Sequence, residues 1–150
     1  MIINRYIQRS IYLGTLGALK IDPEMVTLSG LPTALCLANQ AGAGKDQLFL
    51  KIDKALSTLF IVSNGGVKLI RSFATPETDN TQASSLGAFV RRTLSAFGEI
   101  SQIEYQPPAM VVTGSGLNGA DFDADVSDFL NLPVKRLNFA DSLSIPIDGQ

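Results

Sequence analysis

"QLFLKIDKALSTLFIVSNGGVKLIRSF", residues 47–73, decides the fold. Three runs rich in β-branched, leucine and phenylalanine residues follow one another, at 47–53, 57–65 and 67–73. Runs of this kind between short polar breaks read as strands. Asn64-Gly65 is the dipeptide favoured in tight hairpins, because both positions tolerate positive φ. Strands joined by connections this short form an antiparallel meander. In the third run Val67, Leu69 and Ile70 mix with Lys68 and Arg71, so its inward face is only roughly defined.

Downstream, "ATPETDNTQ" (74–82) is a polar loop. The next segment repeats apolar residues at helical spacing through Leu86, Phe89, Val90, Leu94 and Phe97, with Gly98 as the expected stop. Arg91 and Arg92 fall on its flank and read as a solvated face. "AMVVTG" (109–114) is a short apolar strand. A second amphipathic helix is expected over 119–131, with Phe122, Val126, Phe129 and Leu130 inward. "PVKRLNF" (133–139) closes as a strand. Three consecutive strands, helix, strand, helix, strand is the element order of a ribonuclease-H-like or actin-like half. Helical crossovers before the last two strands place them in a mixed α/β sheet.

Upstream, Ile7, Ile11, Leu13 and Leu16 give an amphipathic helix, weakened by Gly14 and Gly17. Pro23 marks a turn, "MVTLSG" (25–30) reads as a short strand, and "LPTALCLAN" (31–39) as a short buried helix with Pro32 in its first turn. Cys36, among alanines and leucines, is expected to be a small buried hydrophobe.

The 150 residues suit one domain of ordinary size. A formal charge of −2 argues against a nucleic-acid binder, whose footprint is strongly basic. There is one cysteine and no histidine, which excludes Ser-His-Asp and Cys-His catalysis, an internal disulfide, and zinc sites of the usual kind. No apolar run reaches the roughly 18 residues of a membrane span, and no cleavable leader pattern opens the chain. Asp121, Asp123, Asp125 and Asp128 lack the glycine and terminal glutamate of a calcium loop, so no metal is expected there.

Three stretches invite a phosphate. "NQAGAGKDQ" (39–47) looks like a P-loop, but Asn39 stands where the first glycine belongs and Asp46 where the magnesium-binding hydroxyl belongs. A carboxylate there repels phosphate, and the order helix-then-strand is inverted, so the stretch reads as a linker. "VVTGSGLNG" (111–119) has strand, glycine turn and helix start in the order that brings backbone N–H groups to a ligand. Gly114 and Gly116 allow close approach and Ser115 adds a hydroxyl, although a tight turn without ligand needs the same glycines. Asp53, at the end of the first strand, is the third candidate, beside an ordinary surface reading with Lys54.

Taken together, "GALKIDPEMVTLSGLPTALCLAN" (17–39), the meander, and "AMVVTGSGLNGADFDADVSDFLNLPVKRLNF" (109–139) resemble the actin-like cytoplasmic proteins of bacterial envelope machines: the PilM type of type IV pilus assembly and the L components (GspL) of type II secretion. The resemblance implies an actin-like second lobe over 47–150, a linker at 41–46, and a helix-strand-helix remnant of a first lobe over 1–40, in a fragment of a longer protein. It implies a scaffold on the cytoplasmic side of the inner membrane. Its partners would be inner-membrane components and a motor ATPase, with no nucleic acid and no membrane insertion of its own. It also implies a nucleotide site for ATP with magnesium in the complete protein. The phosphate turn of that site maps onto "KIDKALST" (51–58), with Asp53 as its acid and Thr58 as its hydroxyl, while Ala55 replaces the family's glycine. The adenosine-contacting turn maps onto Gly114, Ser115 and Gly116. Three other functions compete: an actin-like ATPase or sugar-kinase-type phosphotransferase, a filament former, and a ribonuclease-H-type nuclease whose acids reduce here to Asp53.

Overall fold

The computed structural model describes residues 14–15, 18–20, 29–41, 45–76, 81–102, 105–117 and 121–137. In chain order the elements are α1 (Leu31–Ala41), β1 (Gln47–Ile52), β2 (Leu56–Ser63), β3 (Gly66–Ala74), α2 (Gln82–Ser101), β4 (Met110–Thr113), α3 (Phe122–Leu130) and β5 (Val134–Arg136). Of the expected N-terminal helix, Ile7, Ile11, Leu13 and Leu16 lie outside the described residues, while Gly14, Thr15 and Ala18 are helical; most of the expected strand at 25–30 also lies outside them. Its last two positions, Ser29 and Gly30, form a turn instead.

The five strands among the described residues make one sheet in the order β3-β2-β1-β4-β5. β1 pairs antiparallel with β2 and parallel with β4, from Leu48↔Met110 to Lys51↔Thr113, and β4 pairs parallel with β5. The sheet is therefore mixed, as the element order requires. Asn64 (φ 51) and Gly65 (φ 71) turn the β2–β3 hairpin with both residues left-handed. That backbone matches the right-handed twist of the flanking strands. A register irregularity follows at Ile61/Val62, where Ile61 opposes Leu69 but Val62 opposes Val67, leaving Lys68 without a partner residue on β2. This is a β-bulge.

Successive side chains of a strand point to opposite faces, and both faces of β1 are filled. Leu48, Leu50 and Ile52 join Leu59, Ile61, Leu86, Val90, Met110, Val112, Phe122 and Val126 in one buried cluster beneath α2 and α3. On the other face Phe49 and Phe60 stack at 5.4 Å between ring centroids and pack with Ala34 of α1. Helix α1 is thus buried along one side only, at Ala34 and Ala38. This corrects the expectation of a buried helix: Leu35 is 45% exposed and Cys36 is exposed. A helix apolar all round gives no period from which its inward face can be read.

The α2 helix is longer than its sequence pattern implied. It runs through Gly98 and ends where Gln102 adopts the left-handed conformation (φ 53) and returns its N–H to the Gly98 carbonyl. Helix α3 begins at Phe122, later than expected, and ends on left-handed Asn131. Arg91 is solvent-exposed and also serves packing: its guanidinium lies 4.4 Å from the Phe129 ring centroid and donates to the Phe129 carbonyl. Arg71 of β3 sits 5.0 Å from the Phe89 ring, against which Phe73 stacks. Tyr105 closes one end of the core, edge-on to Phe97 and donating its hydroxyl to the Gln47 carbonyl.

Two glycines of α2 predict opposite outcomes in denaturant titration. A Cβ at Gly87 would lie 2.5 Å from a Phe129 ring carbon, so the two helices meet there through glycine. Gly87→Ala is expected to destabilise by about 1–3 kcal/mol through overpacking. At Gly98 nothing lies within 4 Å, so Gly98→Ala is expected to stabilise by roughly 0.5–1 kcal/mol from helix propensity alone.

Burial, and then the nearby Asp46 carboxylate, push the Tyr105 phenol far above its ordinary range, against a smaller lowering by a hydrogen bond from the Val62 backbone. The folded chain therefore holds the phenol proton where the unfolded chain releases it. The resulting stability is full below the unfolded value of about 10 and declines as pH rises past it. Tyr105→Phe should cost about 1 kcal/mol at neutral pH and flatten the loss of stability at alkaline pH, as read from urea midpoints across a pH series.

Candidate functional site

Parallel pairing of β1 with β4 brings the carboxyl ends of both strands to one edge of the sheet. That is where open α/β sheets place ligands. Asp53 leaves β1 there and Gly114 leaves β4. Gly114 has φ +130, and a Cβ on it would fall 1.9 Å from the Ile52 carbonyl oxygen. A Cβ on Gly116 would fall 2.8 Å from the Asp53 carbonyl oxygen, and the Gly116 N–H donates to the Ile52 carbonyl at 2.9 Å. The glycines of "TGSG" therefore let one turn press on the exit of the neighbouring strand. Ser115, between them, is exposed.

The Asp53 turn is tight, with the Asp53 N–H donating to the Leu56 carbonyl at 3.3 Å. The Asp53 carboxylate forms an ion pair with Lys51, and both side chains are partly exposed. The structure thus brings Asp53, Gly114 and Gly116 together. Thr58 stands apart from them: it is 8% exposed and its hydroxyl shares a 3.0 Å hydrogen bond with Ser72 on β3. In register, Ser57 opposes Ile52 and Thr58 opposes Lys51, so adjacent hydroxyls point to opposite faces.

Three polar residues near the turns were not singled out from the sequence. Thr75 donates its hydroxyl to the Asp53 carbonyl at 2.7 Å, shares a 2.8 Å hydrogen bond with Ser57, and gives its N–H to the Ala55 carbonyl at 3.1 Å. Gln82, the first residue of α2, is 3% exposed. Its amide nitrogen lies 3.4 Å from the Pro76 carbonyl and 3.5 Å from the Gly116 carbonyl. Ser57 is fully buried. The only sequence signal for any of them is a polar residue opening an apolar helix at position 82. Chemically, the edge offers an acid paired to a lysine, one exposed hydroxyl, and backbone held close by glycine. Two of its N–H groups, at Asp53 and Gly116, already donate within the chain. Among the described residues no group of three or more histidine, cysteine or acidic side chains stands ready for a metal ion. None of the described helices is long and apolar enough to cross a membrane.

No protein-family model and no curated protein matches this sequence. Solved structures do resemble it. The PilM-PilN type IV pilus biogenesis complex contains a chain of which 47% matches 85% of this one, at 16% identity and a TM-score of 0.59. A ROK family transcriptional regulator, described as a homolog of the E. coli MLC protein, matches 63% of this chain with 28% of its own, at 13% identity and a TM-score of 0.52. A Bacteroides thetaiotaomicron protein described as having an actin-like ATPase fold matches 73% of this chain with 39% of its own, at 12% identity and a TM-score of 0.48. The chain spans less than half the length of each. The fold is accordingly α/β, one half of the ribonuclease-H-like, actin-like kind, with its three-strand meander followed by helix, strand, helix, strand.

Substitutions in the glycine turn test this geometry. Gly114→Ala adds a Cβ to a left-handed residue facing a backbone carbonyl, and should cost about 3 kcal/mol or more, at the upper end for single changes. Ser115→Ala should stay within about 0.5 kcal/mol. Thermal unfolding of both variants beside the parent chain reads the difference.

Proposed function

We propose that this chain is a scaffold module of a bacterial type IV pilus assembly or of a related type II secretion apparatus, acting without catalysis of its own. The observation that carries this reading is the likeness of 85% of the chain to part of a chain in the PilM-PilN complex. In this reading residues 47–150 are the second lobe of an actin-like protein, 41–46 a tether, and 1–40 the remnant of a first lobe. The module works on the cytoplasmic side of the inner membrane, held there by inner-membrane partners, and connects them to a motor ATPase.

A second reading has its own support in the geometry at the strand ends. Gly114, Ser115 and Gly116 lie beside Asp53 at the edge where α/β sheets bind ligands, which fits an actin-like site for ATP with magnesium shared with a further lobe. Against a full site within this chain, the Asp53 carboxylate is paired with Lys51, the N–H groups of Asp53 and Gly116 are committed internally, and Thr58 is turned to Ser72. A phosphate would have to compete with each of those bonds. The scaffold reading is therefore preferred.

Two measurements on the same purified chain separate the readings. Co-expression with the PilN-type protein of the same genome should give a complex that co-elutes in size exclusion. Calorimetry with ATP and magnesium should give no binding at micromolar affinity, about 8 kcal/mol. ATP binding that Asp53→Ala abolishes, with no PilN-type complex, would overturn the scaffold in favour of the nucleotide site.

A further inference from the structure

The hydrogen bonds at the strand ends close on themselves. From the Asp53 carbonyl the path runs to the Thr75 hydroxyl at 2.7 Å. It continues along the chain to the Pro76 carbonyl, across to the Gln82 amide at 3.4 Å, and on to the Gly116 carbonyl at 3.5 Å. Within the same turn the Gly116 N–H returns to the Ile52 carbonyl at 2.9 Å, one residue before Asp53. The β1–β2 turn, the end of β3, the start of α2 and the turn after β4 therefore belong to one ring. Thr75 grips the first turn twice, through its hydroxyl and through its N–H to the Ala55 carbonyl. Gln82 is the side chain that joins the second half of the ring, and it does so from a site 3% exposed.

The geometry points to a latch: Thr75 and Gln82 hold the Asp53 turn and the Gly114–Gly116 turn against each other, so that each turn stabilises the other against opening. The physical ground is that hydrogen bonds arranged in a chain support one another, and that a polar group in a site as buried as that of Gln82 is costly to leave without its partner. Removing the Gln82 amide leaves the Pro76 and Gly116 carbonyls without that donor and cuts the ring at one point. The remaining links then hold the glycine turn through the single bond to Ile52. Long bonds of 3.4 and 3.5 Å make Gln82 the weakest link, and so the place where the latch yields first. This inference stands on the hydrogen bonds alone and holds under either reading of the function.

Native-state hydrogen exchange on the full chain, with NMR detection of single amides, tests it. Gln82→Leu keeps the volume and removes the amide. It should raise exchange at both the Gly116 and the Asp53 N–H roughly fivefold, the factor given by one net hydrogen bond, while the Leu50 and Phe60 amides in the sheet centre stay protected. Thr75→Val should produce the same paired rise from the opposite side of the ring, and Thr75→Ser, which keeps the hydroxyl, should not. A rise confined to the neighbours of the substituted residue would overturn the latch, because the two turns would then open separately. So would a uniform rise through β1 and β2, which would report global unfolding. If Gln82→Leu fails to fold, the Thr75 pair alone decides.

Discussion

Everything in this domain rests on β1 having a strand on either side. Its antiparallel bonds to β2 come at the low entropic cost of a short hairpin, whereas its parallel bonds to β4 must wait until more than fifty intervening residues have been placed. The six-residue strand carries four fully buried side chains on two faces, so neither face can be given to solvent. Leu48, Leu50 and Ile52 require α2 and α3 above them, and Phe49 requires Phe60 and α1 below. The mixed sheet order is the arrangement in which one strand meets all of these demands at once.

How far this could be read from the sequence depends on whether the signal was local. The meander, with Asn64-Gly65 at its hairpin, is a local signal, and so are the two helical crossovers. They carry the mixed character of the sheet, because helical crossovers join strands in parallel, whereas the placing of β4 beside β1 comes only with the folded chain. Helix ends were less legible. Gly98 looked like a terminator, yet one glycine costs a helix only about 1 kcal/mol, and packing of α2 along the sheet repays more than that. The left-handed residue that does end α2 is Gln102, which nothing in its side chain announces. The face of α1 was hidden by its uniform apolarity, hence the misplaced Cys36. The strand ends show the same division. Asp53, Gly114 and Gly116 were visible as turn residues with chemistry. Thr75 and Gln82 were not, since the partners that tie them to the turns, Asp53 and Gly116, lie 22 and 34 residues away and meet them only in the folded chain.

The strand-end edge and the helix pair also show one backbone rule serving two purposes. At Gly114 and Gly116 a missing Cβ lets backbone meet backbone beside Asp53, and at Gly87 it lets a helix meet the Phe129 ring. The first contact holds the turn after β4 against the exit of β1. The second seats α3, and through it β5, on the outer side of β4. Arg91 then covers the exposed side of Phe129 with its guanidinium plane, so a cationic side chain completes an apolar contact.

The bulge in the β2–β3 ladder matters for the chain's behaviour in a crowded solution. Among the described residues β3 is an edge of the sheet, nine residues long, and its free backbone groups are a template on which another molecule's strand can add. The irregularity at Ile61/Val62 leaves exposed Lys68 unopposed, and a bulge of this kind bends an edge strand away from a regular ladder. A copy of the same strand laid alongside would meet an irregular ladder. The β2–β3 hairpin thus carries, in its bulge, a feature that disfavours edge-to-edge pairing.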